Sequence, residues 1–413
     1  MQATSIPVIH SMTQESGRNM QHIQELIKTE LSQVNRQLMS KFIDTYISEP
    51  GKNQLCKGIF QSKYVDGSEY KGQIKKGKKN GVGIYYYYTG DVYCGNWTND
   101  EQNGEGILFY VSMERYEGLF YRGFKHGTGK YIYQDGSEYM GTWINDRREG
   151  LGTLRWYNGD YYTGMFSADH INGKGTFQGI NSEIYDGEFR DGKKEGYGIL
   201  RLNNGVSYTG YFRGGNRDGN GKINYPNGDA YNGYFKDGAM DGHGAYDFGN
   251  GDRYEGDWKC GIATGKGKIV YFGGNSYIGE FFNGKLNGTG VLSYKNGDIY
   301  DGNFSIGCKN GFGVMKYQSG ETYRGMWDND HKTGRGEMNW VNGDKFDGDW
   351  KDGKRHGNGV FVYRDCTKWV GGFHEDQMHG EGTLFHPNGK YVRGIYEKGV
   401  WLREITNQKE IKN

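Results

Sequence analysis

The sequence predicts an all-β protein: an elongated, single-layer antiparallel β-meander of about fifteen 23-residue hairpin repeats, preceded by an N-terminal amphipathic helix. Three observations predict it. A triplet aromatic-x-Gly-x-aromatic starts at Tyr70 and returns every 23 residues to a degenerate copy at Val392, without insertion or deletion. A Gly-x-Gly follows each first aromatic by eleven residues, as in Gly81-Val82-Gly83 and Gly380-Glu381-Gly382. Asn-Gly pairs, such as Asn158-Gly159 and Asn296-Gly297, precede the next triplet and mark hairpin turns.

Each repeat divides into two strands for a simple reason. Two and four residues after the second glycine the side chains are nearly always apolar, as at Leu154 and Trp156 or Ile269 and Tyr271, while the position between varies freely. A period of two places the constant positions on one face of a strand and the variable ones on the other. A second turn, at Lys76-Gly77, Asp191-Gly192, Asp237-Gly238 and Asp352-Gly353, closes the other end of the hairpin. Within the triplet, both aromatics and the glycine share a face. Glycine inside a strand costs stability, so its retention predicts a close approach, here by a ring of a neighbouring repeat. At about 4.8 Å per strand, the array would extend on the order of 140 Å.

The flanks differ in kind. Residues 1–50 are poor in glycine and free of the motif, and Met20, Ile23, Ile27, Leu31, Val34, Leu38 and Phe42 recur at helical spacing before Pro50-Gly51. This segment is expected either to cap the first strand edge or to dock elsewhere through Ile27, Leu31, Val34 and Leu38. Residues 51–399 form the array, and residues 400–413 a C-terminal capping tail with Val400-Trp401-Leu402 at its start.

The unit Tyr-x-Gly-x-Trp/Phe with its trailing Gly-x-Gly resembles the MORN repeat family (membrane occupation and recognition nexus), over residues 57 to about 399. Departures are local: Met113, Ser182 and Cys366 replace a turn glycine, Gly179 replaces an aromatic, and Val392 weakens the last triplet. Such copies are expected to be bent or re-used, and are candidate docking points. The resemblance implies a non-catalytic scaffold, similar to radial-spoke and other axonemal proteins of motile cilia or to basal-body and cortical scaffolds. A peripheral adaptor joining membrane to cytoskeleton, as in proteins resembling junctophilins, is the alternative it implies.

Composition excludes several classes. A net charge of +1 provides no global field for nucleic acid or membranes. Five cysteines without a Cys-x-x-Cys indicate neither a disulfide framework nor zinc, and fit a reduced intracellular compartment. No signal sequence and no apolar run long enough to span a bilayer is visible. Gly261-Ile262-Ala263-Thr264-Gly265-Lys266 is one residue short of a phosphate-binding loop and lies inside a repeat, so no nucleotide, cofactor or catalytic group is expected. His126, His356 and His379 share one repeat position; neighbours at about 9.6 Å are too far apart to share a metal. Lys71, Lys75, Lys76, Lys78 and Lys79 form the one dense basic cluster, a solvated face or a contact for anionic lipid.

The expected function is a scaffold whose aromatic groove binds other proteins of a cytoskeletal or axonemal assembly, as a monomer or a homodimer. The groove residues are Tyr93, Trp97, Tyr116, Phe120, Tyr139, Trp143, Tyr254, Trp258, Tyr323, Trp327, Phe346 and Trp350. An apolar face of this size otherwise has no use in a soluble chain.

Overall fold

A computed structural model of the chain describes residues 60–405. The predicted N-terminal helix, with Ile27, Leu31, Val34 and Leu38, and residues 406–413 lie outside the described residues. Every described element is a β-strand, thirty-one in all. Contacts divide the described residues into two compact units, one up to residue 203 and the other from residue 204.

In the first unit, strands from Phe60–Lys63 to Lys193–Arg201 each pair antiparallel with their neighbours in sequence. Each repeat contributes a seven-residue strand bearing the triplet and a nine-residue strand bearing Gly-x-Gly, as in Glu138–Ile144 and Arg147–Arg155. The register sets glycine against glycine: Gly141 opposes Gly129 on one side and Gly152 on the other. A bare backbone row therefore crosses the strands. The register slips just past it, between Gly141 and Trp143, where the longer strand bulges. The first glycine of Gly-x-Gly sits in that bulge at positive φ, for example Gly150 at 67°.

The second unit repeats the arrangement from Ser207–Arg213 to Val400–Glu404. Within repeats the hairpins close through two residues of positive φ, such as Asp237 at 48° and Gly238 at 88°, the combination that a primed turn requires. The Asn-Gly hairpins are longer. Asn227-Gly228 lies in a five-residue loop closed by Tyr225 N–H to Asp229 O at 2.9 Å and Gly228 N–H to Tyr225 O at 3.1 Å. At the far end Trp401 enters the sheet on Val400–Glu404, and its ring lies over Gly394, supplying what Val392 lacks.

The copies without a turn glycine are not bent. Met113, Ser182 and Cys366 adopt φ of 73°, 65° and 68° and donate the same turn bonds, at 2.9–3.0 Å, as glycine does elsewhere. The loop bonds hold the backbone there, at the cost of a side chain in left-handed geometry.

Candidate binding surface

The triplet aromatics build an interlocked ladder. Tyr231 folds back over its own glycine, so a Cβ added at Gly233 would lie 2.5 Å from the Tyr231 oxygen and 2.5 Å from Gly244 Cα. The ring over the glycine thus belongs to its own triplet, not to a neighbouring repeat; Gly394, covered by Trp401, is the exception. Its hydroxyl donates to the carbonyl three residues on, Tyr231 Oη to Tyr234 O at 3.0 Å. Rings meet edge to face within and between repeats: Tyr231 packs against Phe235 of its own triplet at 5.1 Å and Trp258 of the next repeat at 5.3 Å. In the first unit Tyr116 does the same with Phe120 at 5.0 Å and Trp143 at 5.4 Å. Such contacts contribute about 0.5–1.5 kcal/mol each beyond area burial.

The twelve aromatics expected to line a groove all lie in this ladder. Tyr93, Trp97, Tyr116, Phe120, Tyr139 and Trp143, and Tyr254, Trp258, Tyr323, Trp327, Phe346 and Trp350, are at most 8% exposed. Their ring faces are spent on one another and on glycine backbone. Four of the five indole N–H groups are engaged too, as in Trp143 Nε1 to Gly129 O at 3.2 Å and Trp350 Nε1 to Gly336 O at 3.0 Å, whereas that of Trp327 is buried without a partner.

A set of cations, not anticipated from the sequence, completes this face. Nine residues after the first aromatic stands Lys79, Lys125, Arg148, Lys194, Arg217, Lys309, Lys332 or Arg355, lying over the rings. Lys79 Nζ is 4.5 Å from the Tyr85 centroid and 4.6 Å from that of Trp97. Burial pulls the amines of Lys79, Lys125 and Lys332 below their ordinary pKa. Five of the eight have an aspartate 21 residues later, in the next repeat's two-residue turn: Asp100, Asp146, Asp169, Asp330 and Asp376. That carboxylate accepts the cation residue's backbone N–H, as with Lys125 N to Asp146 Oδ1 at 2.8 Å. Where the position is neutral, at Gln102, Ile171, Met240, Ala263, Leu286 and Met378, the turn residue is glycine every time. The aspartate therefore belongs with the cation, and the pair ties one repeat to the next.

The opposite face carries the variable residues over the glycine row. In the first unit a trough of about 590 Å³ is floored by Gly129, Gly141 and Gly152 and walled by Lys130, Met140, Leu151 and Thr153. In the second, a trough of about 630 Å³ is floored by Gly256, Gly267, Gly279 and Gly290 and bordered by Glu255, Lys268, Ile278 and Val291. Met140 is 68% exposed, Leu151 67% and Ile278 56%. One stretch of this face differs: Val92, Cys94, Ile107 and Phe109 are buried, at 3–8% exposure.

The other predicted groups separate. Lys75, Lys76 and Lys78 are exposed around the turn, whereas Lys79 is taken into the ring cage and Lys71 lies over Tyr86 at 5.5 Å. His356 and His379 are bridged by His374, with ring centroids 4.9 and 5.5 Å away. That third ring comes from the strand between, Lys368–His374, and not from the repeat position that His356 and His379 share. Among the described residues, however, no His, Cys, Asp and Glu side chains form a group able to hold a metal, and no helix is long and apolar enough to cross a membrane.

A sheet held together by an internal ring ladder, with its variable side chains turned outward over a glycine floor, defines a repeat protein. The MORN repeat family model matches fourteen consecutive stretches from 70–92 to 369–391, and the chain belongs to that family. Three matches stop early, at residues 112, 183 and 365, beside Met113, Ser182 and Cys366, and the copy at Val392 is unmatched. No curated protein matches the chain. Among solved structures it is similar to the SAS-4 (dCPAP) TCP domain of Drosophila melanogaster in complex with a proline-rich motif of Ana2 (dSTIL). That match has 19% identity over 42% of this chain and 86% of that one, with a TM-score of 0.24. It is also similar to the TCP10 domain of Danio rerio CPAP in complex with a STIL peptide, at 11% identity over 81% and 97%, with a TM-score of 0.17. Superpositions this loose carry no functional information.

Proposed function

We propose that the chain is a non-catalytic scaffold that binds segments of other proteins along the variable face of its MORN repeats. The observation that carries this is the pair of open troughs, where strand backbone is exposed between rows of variable side chains and Met140, Leu151, Ile278 and Val291 offer apolar contact. Around these, residues such as Lys130, Glu255 and Lys268 differ from repeat to repeat and supply selectivity. The MORN resemblance supports a setting in the ciliary axoneme, radial-spoke-like, or in the basal-body cytoskeleton. A complex purified with the tagged chain from detergent-extracted cilia should lose its partners when Met140→Glu and Leu151→Glu are combined with Ile278→Glu. Full retention by this variant would overturn the proposal.

The second reading, an adaptor on anionic membrane, rests on exposed Lys75, Lys76 and Lys78 alone. Each such charge contributes about 1 kcal/mol near an anionic surface. Co-sedimentation with anionic vesicles at physiological salt, abolished by replacing these three lysines with glutamine, would favour it over the scaffold.

A further inference from the structure

The buried stretch of the variable face calls for a cover. Cys94 is 3% exposed and Ile107 6%, and the two are paired across neighbouring strands. Their strands pair only with sequence neighbours, as every repeat's do, and that arrangement leaves the equivalent Met140 at 68% and Ile278 at 56%. Flanking strands alone therefore cannot bury Cys94. The patch is also the most apolar part of the face, with Ile84, Val92, Cys94, Ile107 and Phe109 contiguous across three strands.

We propose that this face is covered by the chain's own residues 19–47, through the apolar stripe Ile23, Ile27, Leu31, Val34 and Leu38. Three observations select that occupant. The segment enters the sheet beside the patch, since the chain reaches its first described strand at Phe60. The thirteen residues from 48 to 60 extend to about 43 Å. The strand carrying Ile107 is the fifth, about 19 Å from the first at 4.8 Å per strand. The other stretch outside the described residues, Thr406–Asn413, holds a single large apolar side chain, Ile411, and cannot match a patch of this size. The proposal differs from edge capping: the cover lies across the sheet, on the face whose remaining troughs are open. It does not depend on what those troughs bind.

Cys94 is the reporter. In the full chain with Cys56, Cys260, Cys308 and Cys366 changed to serine, a small maleimide should label Cys94 slowly. Ile27→Asp with Leu31→Asp, or deletion of residues 1–50, should raise that rate at least tenfold, and a synthetic peptide of residues 19–47 should lower it again. A Met140→Cys reporter should be labelled equally fast in every form, and unchanged amide protection at Gly95 and Trp97 confirms that the strands persist. Fast labelling of Cys94 in the parent, or slow labelling in both altered forms, would overturn the proposal. So would protection that depends on protein concentration, which would assign the cover to a second copy.

Discussion

Asp376 Oδ1 accepts two hydrogen bonds from Arg355, one from its backbone N–H at 2.9 Å and one from Nε at 3.1 Å. The Arg355 guanidinium also donates to the Asp376 carbonyl at 2.8 Å while lying over Phe361 at 5.2 Å and Phe373 at 5.5 Å. One aspartate thus fixes a cation on the ring ladder and a strand to the next hairpin. Asp376→Gly keeps the positive φ of 71° available and removes the carboxylate. It should cost about 1–2 kcal/mol in urea unfolding, with Asp376→Asn recovering part of the loss. A double-mutant cycle with Arg355→Met should give a coupling of at least about 0.5 kcal/mol. Additive losses would show that the two residues act separately.

Gly233→Val should destabilise the second unit by roughly 1–3 kcal/mol, because the new side chain must displace both the Tyr231 ring and the Gly244 backbone. The damage should stay within the adjacent repeats, since repeat arrays couple through neighbours. Hydrogen exchange should show faster exchange around Tyr231–Asp247 and little change at Phe346–Trp350. Uniform acceleration along the unit would contradict the expectation.

High pH should melt the ladder. Burial raises the phenols of Tyr231, Tyr254 and Tyr277 to about 12, against 10.0 for the free group. A raised folded pKa means stability that is present below pH 10 and lost as pH rises from there through about 12. Above about pH 10, ionisation of each of these tyrosines favours the unfolded chain. Phenolate absorbance should therefore appear together with loss of the strand signal in circular dichroism. Titration of the ladder near pH 10 with the strands intact would refute this.

Met113→Gly, Ser182→Gly and Cys366→Gly should each stabilise by roughly 0.5–1 kcal/mol, the left-handed penalty less the entropy that glycine adds to the unfolded chain. Since these turns keep ordinary bonding, the substitutions should leave partner binding unchanged. Weakened assembly would instead mark the positions as docking points.

The meander was legible from Tyr70 onward because an unbroken 23-residue period repeats every strand and turn signal in phase. The cation set was visible in principle. Lys79, Lys125 and Lys309 stand at one repeat position, and Asp100, Asp146 and Asp330 follow each by 21 residues. A lysine beside a turn reads as solvated, however, and only the folded bulge brings its stem over the rings. The assignment of Tyr254 and Trp258 to a groove rested on apolarity alone. The sequence shows that these rings share a face, but not that Tyr254 lies across Gly256 and Gly267 and closes that face to outside contact. The troughs are marked by no residue type: they are exposed backbone between rows of variable side chains, and the Cβ positions of Gly141 and Gly152 point the other way, against Tyr139.

The uniform ladder also bears on heredity. Tyr208 packs against Phe235, Tyr231 against Trp258 and Tyr254 against Phe281, at 5.1, 5.3 and 4.9 Å. Excision of residues 231–253 would hand Tyr208 the Trp258 that Tyr231 now meets, with each turn and glycine pair still in step. Gene duplication or loss of one whole 23-residue unit is thus structurally silent, whereas a gain or loss of a single residue turns a strand's ladder side chains to the other face. Within a unit, the length of the ladder can then drift between lineages only in whole-repeat increments, each about 9.6 Å.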